Sequence, residues 1–151
     1  MATVKQIIVN LKTSNRAGAD TNGHVYLGPG GREFNLNLPT GDRELGATDT
    51  YTLGEETNIL NPDENDPRAG SGCPLEQGQL FWFPVYIRFQ GENFEDRWNL
   101  DSVGVRVFSS DPHDPANPEL RFSRLLGPNF HLWLGGKYGN YCYLNPSGPL
   151  A

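Results

Sequence analysis

The sequence predicts an all-β protein, an antiparallel β-sandwich of about eight strands with long loops. Two observations carry that prediction. Apolar and polar residues alternate in short segments, and 18 Gly and 12 Pro punctuate the 151 residues between them. No segment reads as a confident helix, and runs of short strands without helices build sandwiches.

The first strand is expected over residues 4–12, where Ile7, Val9 and Leu11 alternate with Gln6, Ile8 and Asn10. Residues 14–23 form a bent loop ending in the turn dipeptide Asn22-Gly23, and Val25 and Leu27 open a second strand. Residues 32–38 alternate most clearly, with Phe34, Leu36 and Leu38 on one face. After the turn Pro39-Thr40-Gly41-Asp42, residues 49–53 are rich in β-favouring side chains. Residues 54–78 carry Pro, Gly and acidic residues without periodicity and read as an insertion that is functional or partly mobile.

Residues 80–89 are the most apolar run. Their aromatic and β-branched content and Pro84 predict two strand pieces bent at the proline. Residues 98–108 give another strand with Leu100, Val103, Val105 and Val107 as core candidates. Residues 111–118 form a Pro-rich polar loop, and Phe122, Leu125, residues 130–134 and residues 138–144 supply the closing strands. Trp82, Trp98 and Trp133 all fall in strand patterns, where burial is the ordinary expectation. The whole of 1–151 reads as one domain, interrupted by insertions near 54–79 and 110–119, and its length suffices for a core without disulfides or metal.

A formal net charge of −6 repels phosphate backbones, and no Lys/Arg cluster marks a nucleic-acid reader. The same charge opposes unaided binding to anionic lipid. Residues 1–5 lack the apolar core of a secretory signal and no apolar run could span a bilayer, so the expectation is a soluble chain, cytoplasmic by default or a processed piece of something exported. Cys73 and Cys142 are too few for a disulfide framework. Cys142, within an alternating segment, reads as a buried reduced thiol.

Catalytic constellations are missing from the sequence. His24, His113 and His131 lack zinc spacing, Gly28-Pro29-Gly30-Gly31 is not followed by the Lys-Ser/Thr of a nucleotide loop, and Asp63-Glu64-Asn65-Asp66 departs from EF-hand spacing. The expectation is a protein that is not an enzyme.

Several motifs occur in a fixed order. Ile7 to Leu11 leads to Ala17-Gly18-Ala19-Asp20 and then to His24-Val25-Tyr26-Leu27. Gly46-Ala47-Thr48-Asp49-Thr50-Tyr51 precedes the next strand. Tyr86-Ile87-Arg88-Phe89 and the series Asp96, Trp98, Leu100, Val103, Val105 follow. This series resembles the PLAT (lipoxygenase-homology) domain family over residues 4–108, with a weaker echo to the end and Cys142 in the place of a closing-strand cysteine.

The resemblance implies a non-catalytic module of lipid, membrane or protein binding. It places binding loops at Arg16, Gly18, Asp20, Asn93, Phe94 and Arg97. Calcium is the cofactor it admits, with Asp20, Glu92, Glu95 and Asp96 as the metal-ligating candidates, because calcium takes about six to eight oxygens. Arg97 and Thr21 stand where calcium-binding members often carry acids, and an Asp20 that caps its own turn explains the same residues without metal. Protein docking or self-assembly, through the 54–78 insertion and exposed sheet edges, is the leading expectation. Calcium-assisted targeting to a lipid surface is the alternative.

Overall fold

The computed structural model describes residues 3–68, 72–109, 119–125 and 131–147. Among them are ten strands and no α-helix: β1 (Gln6–Thr13), β2 (His24–Gly28), β3 (Phe34–Leu36), β4 (Thr48–Gly54), β5 (Tyr86–Gln90), β6 (Arg97–Phe108), β7 (Leu120–Leu125), β8 (Leu132–Gly135), β9 (Tyr141–Tyr143) and β10 (Asn145–Ser147). A six-stranded sheet runs β10-β7-β6-β1-β4 with β8 also on β6, and a four-stranded sheet runs β3-β2-β5-β9. Every strand pair is antiparallel. The strands exceed the expected eight because the C-terminal region is cut into short pieces. The 110–118 part of the second insertion, and Phe130, lie outside the described residues.

The alternation read from sequence is the alternation that packs. Ile7, Val9 and Leu11 of β1 are fully buried, facing Val25 and Leu27 of β2 and Ile87 and Phe89 of β5 in one continuous core. In β6 the inward set changes phase, from Trp98 and Leu100 to Val103, Val105 and Val107. The pairing explains it: Thr13 faces Leu100 while Lys12 faces Ser102, so Asp101 is the extra residue of a bulge. At that bulge β6 also changes neighbour, from β8 over residues 97–100 to β7 over residues 102–107.

Residues 80–89 differ from expectation. Leu80 and Phe81 end a 3₁₀ helix, Gln77–Phe81, and the strand begins only at Tyr86, after Pro84. The cause lies upstream, where the Glu76 N–H donates to Gln79 Oε1 at 2.7 Å and fixes the first turn. A single turn with one buried residue, Leu80, leaves its neighbours outside, so Trp82 is 82% exposed rather than buried. Trp98 is fully buried as expected and Trp133 half-buried. Residues 32–38 shrink to the three-residue β3.

The 54–78 insertion closes one flank of the sandwich. Asn58 Nδ2 donates to the Thr50 carbonyl at 2.9 Å and Asn58 Oδ1 accepts from the Thr52 N–H at 2.8 Å, so one side chain pairs with the free edge of β4. Asn65 Oδ1 accepts from the Asn35 N–H at 2.7 Å on the edge of β3. Cys142 on β9 is a buried thiol, its pKa pushed up by burial, and Cys73 lies exposed; the two are not joined.

Arg43, which carried no expectation, is the least ordinary residue of the core. It is buried with a left-handed backbone (φ 56°). Its guanidinium donates to the carbonyls of Gly23 (2.9 Å) and Leu36 (3.0 Å) and pairs with Asp42 at 2.7 Å, tying the end of the first loop to β3. Tyr51 of β4 completes the group by donating to Asp42 at 2.9 Å, and burial holds its hydroxyl in the neutral form. Replacing Arg43 by Met strands two buried carbonyls and a carboxylate. The variant is expected to lose about 3–5 kcal/mol in urea unfolding, whereas a loss under about 1 kcal/mol would show that the network is dispensable.

Candidate functional site: the two poles and the outer aromatic face

Antiparallel pairing sorts the loops between two poles. Loop 14–23 follows the end of β1 and leads into β2, whose first residue, His24, pairs with Gln90 at the end of β5. Loop 91–96 follows β5 and enters β6 beside the end of β1. The loop residues singled out from sequence, Arg16, Gly18, Asp20, Asn93, Phe94 and Arg97, therefore gather at one pole.

Backbone bonds hold them there. The Asn99 N–H donates to the Ala19 carbonyl at 3.1 Å and the Ser14 N–H to the Asn99 carbonyl at 3.0 Å, while Ala19 is fully buried. Trp98 anchors the pole by donating from Nε1 to Thr13 Oγ1 at 2.9 Å. Arg16, Gly18 and Asp20 remain exposed.

Two carboxylates of this pole, Asp96 and Glu95, are turned to local work. Asp96 Oδ2 accepts from the N–H groups of Glu92 and Asn93, closing the loop on itself. Glu95 pairs with Lys137 at 2.9 Å. A side-chain carbon on Gly18 would stand 3.1 Å from Arg97 Nη2, so the Arg97 guanidinium borders the first loop, and it stacks 4.3 Å from the centre of the Trp133 ring. Among the described residues no group of three or more His, Cys, Asp or Glu is arranged to hold a metal.

The opposite pole holds the feature that sequence reasoning missed. Phe81, Trp82 and Phe83 are consecutive and exposed, just before β5. Their backbone is fixed: Leu80 is buried, the Trp82 N–H donates to the Gln79 carbonyl at 3.2 Å, and the Phe83 ring would touch a side-chain carbon on Gly31 at 3.4 Å. The only signal was an aromatic run too short to show whether it was inside or out.

The outer face of the four-stranded sheet carries a second aromatic group. Tyr141 and Tyr143 of β9 stack with ring centres 5.9 Å apart, and Tyr86 meets Tyr141 edge-on at 5.2 Å. Tyr86 lies over Gly28, where any side chain would collide with its ring. The Tyr86 hydroxyl donates to Glu33 Oε2 at 2.6 Å, and burial together with that bond pushes its pKa up to about 12. Arg88 donates to both Glu33 oxygens at 2.9 Å and stacks on Tyr26 at 4.2 Å.

Two stacked antiparallel sheets with long loops at both poles are found in known structures. The chain superposes on alpha toxin from Clostridium absonum with a TM-score of 0.59 at 18% identity, covering 95% of this chain and 32% of the toxin. Alpha toxin from an avian strain of Clostridium perfringens gives 0.57 at 16% identity, with the same coverages. The fold is that of a PLAT-type domain. A lipoxygenase deletion variant matches with a TM-score of 0.50 at 15% identity, over 94% of this chain and 16% of the enzyme. The PLAT-type domain thus spans about a third of the toxins and less of the lipoxygenase. No protein-family model and no curated protein matches the sequence. No helix among the described residues is long and apolar enough to cross a membrane.

The Glu33–Arg88 pair has a pH signature. The Arg88 hydrogen bond is the largest influence on Glu33 and holds it below its ordinary 4.5, against desolvation and aided by the Tyr86 hydroxyl. A carboxylate depressed on folding stabilises the protein above its unfolded value, and that contribution is lost as pH falls through the lower folded value. Glu33→Gln is expected to cost about 1 kcal/mol near neutrality, discounted for partial exposure. The gap between variant and wild type in urea unfolding should narrow as pH falls below 4.5; a gap that stays constant would remove the ionic contribution.

Proposed function

We propose that the protein is a non-catalytic binding module that docks a protein partner through Phe81, Trp82 and Phe83. The observation that carries this reading is Trp82, exposed between two exposed Phe residues on a backbone already held in place. Covering a Trp side chain removes about 200 Å² from water. At about 25 cal/mol per Å² that is worth about 5 kcal/mol, before the cost of association. Trp is enriched where a few side chains dominate a protein interface, and a rigid backbone lowers the ordering cost. The net charge of −6 favours a protein over an anionic bilayer.

A second reading uses the other pole. Phe94 is 62% exposed beside the loop of Asp20 and Asp96, where calcium-assisted contact with a lipid surface would be made.

Immobilised wild-type protein is expected to retain itself or a discrete partner that Trp82→Ala fails to retain, with the thermal midpoint unchanged. Retention equal for the two proteins removes the docking assignment. Liposome pelleting abolished by chelator and by Asp20→Ala, and indifferent to Trp82→Ala, would establish the second reading in its place.

A further inference from the structure

We infer that the groove between loop 91–96 and the outer face of the small sheet binds a neutral, gluco-configured saccharide. The groove measures about 370 Å³, within the range of small-ligand sites. Phe94 and Tyr141 supply exposed aromatic surface, and Arg88, Gln90, Asn93 and Asn140 supply polar groups. This surface is distinct from Phe81–Trp82–Phe83, and the inference does not depend on the docking reading.

Both rings are held before any ligand arrives. A side-chain carbon on Gly136 would stand 2.4 Å from Phe94 Cδ2, so the Phe94 ring rests on a glycine that gives it room. Tyr141 is braced edge-on by Tyr86 and stacked by Tyr143. Preformed rings spare a ligand the cost of ordering them.

The exposed amides of the groove keep edges that no group among the described residues occupies, which suits hydroxyls. Asn93 Oδ1 is committed to the N–H groups of Glu95 and Asp96, and Gln90 Oε1 accepts from Arg88 at 3.2 Å. Their amide N–H groups, and the side chain of Asn140, make no hydrogen bond among the described residues. Amides donate and accept, as sugar hydroxyls do.

Charge selects within that chemistry. No carboxylate lines the groove, and its one cation, Arg88, is neutralised by Glu33. An ionic ligand would therefore find no unanswered opposite charge, whereas a neutral polyol loses nothing. A pyranose with all ring hydroxyls equatorial presents flat C–H faces to aromatic rings and hydroxyls at its rim.

The test is calorimetric titration of the full chain with cellohexaose. Saturable binding is expected, weakened about tenfold or more by Tyr141→Ala and by Phe94→Ala, reduced by Gln90→Ala, and unchanged in Trp82→Ala, with thermal midpoints showing that each variant is folded. Absence of saturable binding to the wild type overturns the assignment. So does binding that survives both aromatic substitutions in folded proteins, or equal binding of hexagalacturonate, which would show that the groove selects neither neutral charge nor gluco configuration.

Discussion

One strand has to serve three neighbours, and the rest of the sandwich follows from how it does so. β6 lies against β1 along its length, and on its other side it meets β8 first and β7 afterwards. The bulge at Asp101 makes the exchange possible, because it resets the side-chain phase without interrupting the core. It also fixes the first pole, since Trp98 and Asn99, just before the bulge, hold the end of β1 and the first loop. A strand of uniform phase would send either Trp98 and Leu100 or Val103, Val105 and Val107 into solvent.

Much of this could be read from the chain. Ile7, Val9 and Leu11, and Val103, Val105 and Val107, announce their faces through period two, and even the bulge is implicit in the odd spacing from Leu100 to Val103. The motif order of the PLAT resemblance tracks strands, which pattern encodes, and the two loops between those strands lie at one pole. What escaped were contacts made by single side chains across long separations. Asn58 and Asn65 look like insertion polarity, and Arg43 like a turn residue, until the sheet edges and carbonyls they bond are in position. The segment 80–83 misled because an aromatic run has no period of its own, and a Glu76–Gln79 bond decided its conformation.

The two poles and the outer face differ in physical character. At the first, Asp96 is spent on backbone N–H groups and Glu95 on Lys137, and Arg97 brings a positive charge against the first loop. At the second, apolar rings stand in water on a fixed backbone. Between them runs a tyrosine-rich sheet face whose Glu33–Arg88 charge pair is internally balanced. The three surfaces thus differ in charge, polarity and aromatic content.

The flank sealed by Asn58 and Asn65 limits how copies of the molecule can join. Fibrils grow when a bare strand recruits another strand. Here the middle of β4 meets an amide that already satisfies Thr50 and Thr52, and β3 meets another at Asn35. Lateral extension along that side would first have to evict both amides, so polymerisation of the native sandwich is blocked there by two side chains rather than by charge.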